Sequence, residues 1–77
     1  MNAKDQPEEQ LRLDDIMSLP KFCERYSDIC SLSRARWLIF NRKTNGIEDA
    51  GAVIKTGGRW LVVLPRFKAW LMAGGEV

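Results

Sequence analysis

The sequence has no histidine, two cysteines and no apolar run long enough to cross a membrane. Without histidine it lacks the commonest general base, and its 77 residues contain no nucleophile–base pair, phosphate-cradling loop or dinucleotide-binding motif. Structural zinc usually takes four Cys or His ligands, so we expect neither a metal nor another cofactor. The longest apolar run, "WLVVL" at 60–64, suits a buried strand and is far shorter than the roughly 18 residues of a membrane span. We therefore expect a protein that is not an enzyme and has no membrane partner.

The two cysteines, Cys23 and Cys30, are separated by six residues. A disulfide between them is geometrically possible. However, the polar N-terminus "MNAKDQPEEQ" contains no apolar segment of the kind found in secretion signals. We therefore expect a cytoplasmic chain in which both thiols are reduced and partly buried.

Charge is distributed unevenly along the chain, although the net charge is only +2. Residues 1–28 carry four cations and seven anions, a balance of −3, whereas residues 29–77 carry eight cations and three anions, a balance of +5. A basic region of this kind is typical of proteins that contact phosphate backbones. The alternative is a solvated basic face without a partner.

The apolar pattern predicts a single small α+β domain over residues 13–74. A flexible N-terminal tail is expected over residues 1–12 and a C-terminal tail over residues 75–77. The predicted order within the domain is helix, turn, helix, β-hairpin and closing helix.

Two short helices are predicted in the first part of this domain. Ser18 is a suitable N-cap for a helix over about residues 19–27. Ser31 or Ser33 can cap a second helix that continues to about residue 43, where "TNG" ends it because Asn and Gly accept the left-handed conformation.

A β-hairpin and a third helix are predicted after them. "AVIKT" and "RWLVVL" are separated by Gly57-Gly58, and both glycines tolerate the positive φ of a tight hairpin turn. Apolar residues occupy both faces of the second run, so we expect both faces to be covered. Pro65 opens the last helix, "PRFKAWLMA", which ends at Gly74-Gly75.

The second predicted helix, "SRARWLIF" at 33–40, has apolar residues on two sides. Helical spacing places Ala35, Leu38 and Ile39 in one arc, which is the expected core face. Trp37 and Phe40 point to the other side. Either they pack under the hairpin or the last helix, as we expect of large residues in a small domain, or Trp37 partly faces DNA and contacts a sugar or a thymine methyl.

Two short helices followed by a hairpin form the order of a winged helix-turn-helix, in which the second helix enters the DNA major groove. Arg36 is the best candidate for a base contact, since its guanidinium can pair bidentately with guanine; the alternatives are a surface cation or a salt bridge to Glu24 or Asp28. Lys55 and Arg59 bracket the hairpin tip, where they can contact phosphates. The full set of predicted DNA contacts is Ser33, Arg34, Arg36, Trp37, Asn41, Arg42, Lys43, Lys55 and Arg59.

The stretch from residue 19 to 71 resembles the excisionase and MerR-type winged-helix family, in particular small phage or integrative-element proteins of the AlpA type. The resemblance is carried by "SLSRARWLIF" as the second helix, "AVIKTGGRWLVV" as the wing and "LPRFKAWL" as the closing helix. The chain departs from the family in its longer link "YSDICSLS" and in the inserted "NRKTNGIEDAG". The resemblance implies sequence-specific binding of double-stranded DNA. The chain would act as a recombination directionality factor for an integrase or as a small transcriptional regulator of a mobile element, alone or with further copies of itself.

A protein-interaction module, such as a phage-encoded inhibitor or adaptor, is the alternative and would use the same aromatic and basic surface. It predicts an exposed Trp37 or Trp70 in an apolar patch, with the cations elsewhere. A continuous basic stripe from the second helix to the hairpin would favour DNA.

Overall fold

A computed structural model describes residues 11–77, so most of the predicted tail over residues 1–12 lies outside the described part. The chain forms three α-helices and one three-stranded antiparallel sheet, which confirms the α+β class. After a single 3-10 turn at Leu13–Asp15, the elements are β1 (Ile16–Ser18), α1 (Leu19–Arg25), α2 (Leu32–Phe40), β2 (Val53–Thr56), β3 (Arg59–Val63) and α3 (Leu64–Met72). Within residues 11–77, none of these helices has the length and apolar character needed to cross a membrane.

The sheet has the order β1-β3-β2, with β3 in the centre. The hairpin is confirmed: Gly57 and Gly58 form the turn with φ of 57° and 79°, and Lys55 pairs with Trp60 across it. The strand β1 was not predicted. Its three residues pair with the end of β3, where Met17 lies opposite Val62.

The first two helices begin where the sequence indicated. The Ser18 hydroxyl accepts from the Lys21 amide at 3.4 Å and caps α1, and the Ser31 hydroxyl accepts from the Arg34 amide at 3.2 Å and caps α2. The predicted extension of α2 to about residue 43 is wrong, because Asn41 ends the helix at Phe40.

The hydrophobic core lies where the three helices meet the inner face of the sheet. Aromatic rings connect its parts: the ring centroid of Phe67 is 4.9 Å from that of Phe22 on α1 and 5.5 Å from that of Trp70 on α3. Beyond α3, Gly75 lies so close to Trp70 that an added Cβ would be 2.5 Å from its ring, and Val77 in the predicted C-terminal tail packs against the core.

The segment between α2 and β2 is held by Asn45. Its Nδ2 donates to the Leu38 carbonyl at 3.0 Å, and its Oδ1 accepts from the Ile47 amide at 2.9 Å. The backbone carbonyl of Asn45 accepts from Trp70 Nε1 at 2.8 Å. As a result Ile47 is 1% exposed, and the inserted segment contributes to the core instead of extending into solvent.

Cys23 and Cys30 are buried, as expected, and form no disulfide with each other. Their Sγ atoms lie 3.7 Å and 3.6 Å from the same acceptor, the carbonyl oxygen of Ser31. Burial raises the pKa of both thiols above the ordinary value of 9.0, so both are protonated at neutral pH.

Candidate nucleic-acid interface

Helix α2 has one buried side and one exposed side. Ala35, Leu38 and Ile39 are buried, as predicted. The opposite side carries Ser33, Arg36, Trp37 and Phe40, which all lie within one exposed arc of the helix, and we call these four residues the α2 face.

The expectation that Trp37 and Phe40 pack under the hairpin or the last helix is wrong. Trp37 is 48% exposed and Phe40 is 83% exposed. The core is filled from other directions, because Ile47 enters from the segment after α2 and Trp70 enters from α3. The α2 face therefore presents two large aromatic side chains to solvent.

Arg34 is not a free cation on this helix. Its guanidinium carbon lies 4.4 Å from the centroid of the Trp37 ring, a cation–π contact that restricts the orientation of the indole. Asn41 stabilises the last turn of the helix, since its Nδ2 donates to the Trp37 carbonyl at 3.0 Å. Arg34 and Asn41 therefore hold Trp37 and the end of α2 in place.

Arg36 is exposed, and among residues 11–77 its side chain forms neither an ion pair nor a hydrogen bond. The salt bridge to Glu24 or Asp28 that the sequence allowed is not formed. The guanidinium of Arg36 is thus available to a partner, directly beside Trp37 and one helical turn from Phe40.

Arg42 joins the end of α2 to the hairpin. Its Nη1 donates to the Ile39 carbonyl at 3.0 Å, and its guanidinium carbon lies 5.0 Å from the centroid of the Trp60 ring. The enclosed Nε lies 3.5 Å from Glu48 Oε2, an ion pair without hydrogen-bond geometry. Lys43 pairs with the same carboxylate at 3.4 Å but remains largely in solvent.

Trp60 brings the cations of α2 and of the hairpin together. Lys55 Nζ lies 5.6 Å from the ring centroid, so Lys55 and Arg42 both contact this indole. Arg59, which precedes Trp60 on β3, is exposed and lines an open cleft of about 290 Å³ that also includes the start of α1. Trp60 therefore connects a cation from the end of α2 with one from the hairpin, and Glu48 offsets part of the charge at the α2 end.

Two contributors to this surface, Phe40 and Trp60, were not among the predicted contacts. The signal for Trp60 was present in the sequence: a two-residue Gly-Gly turn fixes the hairpin register and places Trp60 opposite Lys55. The contact of Trp60 with Arg42 depends on the path of the chain after α2, which local patterns do not specify.

A second exposed apolar feature lies away from α2. An open groove of about 230 Å³, which we call the α1–α3 groove, is lined by Phe22 and Tyr26 of α1, Ile29 of the following turn, and Leu64 and Leu71 of α3. Lys68 is at its edge.

The described part of the chain, residues 11–77, contains no group of three or more His, Cys, Asp or Glu side chains suited to a metal ion. No protein-family model, curated protein or solved structure matches this chain.

Proposed function

We propose that this chain binds double-stranded DNA as a small winged helix-turn-helix protein, with α2 in the major groove and the β2–β3 hairpin against the adjacent backbone. The observation that carries the proposal is the α2 face, where the exposed Arg36 shares one side of the helix with two exposed aromatic side chains. A nine-residue helix is roughly 13 Å long, and the major groove of B-DNA, about 12 Å wide, accommodates a helix of this kind.

The nine predicted contacts divide into three groups by their environment in the fold. Ser33, Arg36 and Trp37 lie on the α2 face and are assigned to base edges. The exposed cations Lys43, Lys55 and Arg59 are assigned to phosphates. The last group, Arg34, Asn41 and Arg42, is engaged within the chain and is assigned to positioning.

The continuity of charge through Trp60 supports this proposal over a surface that binds only proteins. Arg42 and Lys55 meet at the Trp60 ring, so cations extend from the end of α2 to the hairpin, with the Glu48 carboxylate offsetting one of the two charges of Arg42 and Lys43. Phosphates follow a regular path along a DNA groove, and a run of cations along one side of a protein can contact several of them.

The biological role that we propose is that of an excisionase-like directionality factor or a small transcriptional regulator of a mobile element. The support is the resemblance of the sequence from residue 19 to 71. A domain of this size offers few base contacts, so specific binding would depend on neighbouring copies or on an integrase bound beside it.

A duplex-binding titration tests the proposal. We expect affinity to fall steeply between roughly 50 mM and 200 mM salt, and Arg36→Ala to weaken binding to the preferred site by about tenfold. Arg59→Ala should weaken binding to all sequences alike and reduce the slope of log K against log salt by about 0.9. Lys68→Ala removes the same charge from the α1–α3 groove and should change neither. If no duplex binds at the lowest salt, the proposal is wrong.

A protein-interaction module is the second candidate, because Trp37 and Phe40 are exposed and the α1–α3 groove is apolar. The α2 face, however, carries the cation Arg36 as well as the two aromatics. An apolar partner covering this face would desolvate Arg36 without pairing it, which is costly, whereas a DNA groove supplies acceptors.

A further inference from the structure

We infer that the α2 face recognises a guanine next to a thymine, and that it identifies the thymine by its C5-methyl group. This inference rests on the proposed function and adds to it the chemical identity of the preferred step. It depends on which side chains of α2 are exposed to solvent and on which of these already contact other residues of the chain.

The aromatic side chains supply the thymine preference. Phe40 has no polar atom and is 83% exposed, and the half-exposed Trp37 lies one helical turn before it. In the major groove the thymine methyl is the apolar group that the bases present, whereas the edges of guanine, adenine and cytosine offer donors and acceptors. An apolar pair on a groove-facing helix therefore favours thymine.

Arg36 supplies the guanine preference. Arg36 lies four residues before Phe40, so these two side chains are neighbours on one side of the helix, and Trp37 lies at the edge of the same exposed face. Guanine O6 and N7 accept bidentately from a guanidinium; among residues 11–77 the charge of Arg36 acts on the Cys23 thiol, but its guanidinium forms no ion pair or hydrogen bond. A guanidinium one helical turn from an exposed apolar ring can read a guanine that lies next to a methyl group.

The spacing of Arg36 and Phe40 matches adjacent base pairs. Between them the helix rises by about 6 Å, which corresponds to roughly two base pairs at about 3.4 Å each. Arg34 acts on this readout through Trp37, because the 4.4 Å stack restricts the indole to one orientation. Arg34 is thus a positioning residue.

The test begins with the full chain and a random duplex library. The preferred site is selected, and each of its thymines is replaced in turn by deoxyuridine, which removes only the C5-methyl group. Replacing the thymine beside the essential guanine should weaken binding by about fourfold, the factor expected for one buried methyl-sized group. Phe40→Ala or Trp37→Ala should reduce this factor toward one, and Phe40→Leu should retain it. Arg34→Ala should also reduce it, while circular dichroism confirms that the variant is folded.

Three results would overturn the inference. If the selected duplex binds in a salt-dependent way but no thymine replacement changes affinity, the methyl readout is wrong while the proposed function stands. If the single strands bind more tightly than the duplex, the aromatics stack on bases and do not read a groove. If no nucleic acid binds at all, the proposed function fails together with the inference.

Discussion

Asn45→Ala tests whether the segment between α2 and β2 is a structural part of the domain. The substitution removes the Nδ2 donor to the Leu38 carbonyl at 3.0 Å and the Oδ1 acceptor for the Ile47 amide at 2.9 Å. Each bond contributes about 1 kcal/mol net, and an enclosed amide left without an acceptor costs about 1–3 kcal/mol. We therefore expect the free energy of unfolding to fall by about 2–3 kcal/mol.

This loss is large for a domain of this size. Small domains lie at the low end of the usual range, at about 5 kcal/mol, so the substitution removes roughly half of the stability. The melting temperature should fall by roughly 10–20 °C, since 1 kcal/mol corresponds to about 4–8 °C in a domain of 60–100 residues.

Urea titration, followed by far-UV circular dichroism and by tryptophan fluorescence, measures the effect. Trp70 is a local reporter, because its indole nitrogen donates to the Asn45 carbonyl at 2.8 Å. Asn41→Ala is the matched control in the same segment: it removes one exposed bond to the Trp37 carbonyl, which water can replace, and should cost about 0.5 kcal/mol. Equal losses in the two variants would refute the assignment of Asn45 as the anchor of this segment.

Three further predictions concern the helix cap, the hairpin turn and the thiols. Ser31→Ala removes the N-cap of α2 and should cost about 1 kcal/mol in urea titration, whereas Ser33→Ala should be neutral; equal effects would contradict the capping role. Gly58 has φ of 79° with open space around it, so Gly58→Ala should cost about 1 kcal/mol from the backbone alone, measured by thermal melting, and an unchanged melting temperature would contradict this. Because burial raises the pKa of Cys23 and Cys30 in the folded state, their contribution to stability is complete below the ordinary thiol pKa of 9.0 and declines as pH rises through it. The stability difference between the native chain and a Cys23→Ala/Cys30→Ala variant should therefore narrow above that pH in urea titrations, and a constant difference would contradict it.

The parts of the fold that the sequence predicted are those specified by local chemistry. Ser18 caps α1, and Gly57-Gly58 forms the hairpin turn, because a hydroxyl at a helix start and two residues with positive φ act over a few neighbouring positions. The buried stripe of α2 follows from helical spacing alone.

The parts that it missed depend on contacts between distant segments. The strand β1 has three residues, too few for a periodic signal, and it exists because its residues pair with β3 some 45 positions later. The sequence also suggested that Arg42 and Lys43 extend α2, since nothing local opposes a helix there. Asn45 bonds back to Leu38, which is possible only after the chain has turned away from the helix axis.

The placement of Trp37 and Phe40 failed for a different reason. The expectation assumed that a small domain needs every large side chain in its core. Ile47 and Trp70 occupy that volume instead, and both come from segments whose position cannot be inferred from α2. The size of a side chain therefore does not predict its burial when an inserted segment supplies other apolar residues to the core.

The separation of α2 into two sides has a consequence for how this protein can change. The inward residues fix the helix in the core, and no residue of that set belongs to the α2 face. Substitutions at Ser33, Arg36 and Phe40 therefore alter what the helix presents to solvent without opening a cavity beneath it, whereas Trp37 is half-buried against Arg34. A lineage, or a laboratory selection, can change the chemistry of this exposed surface one side chain at a time at nearly constant stability.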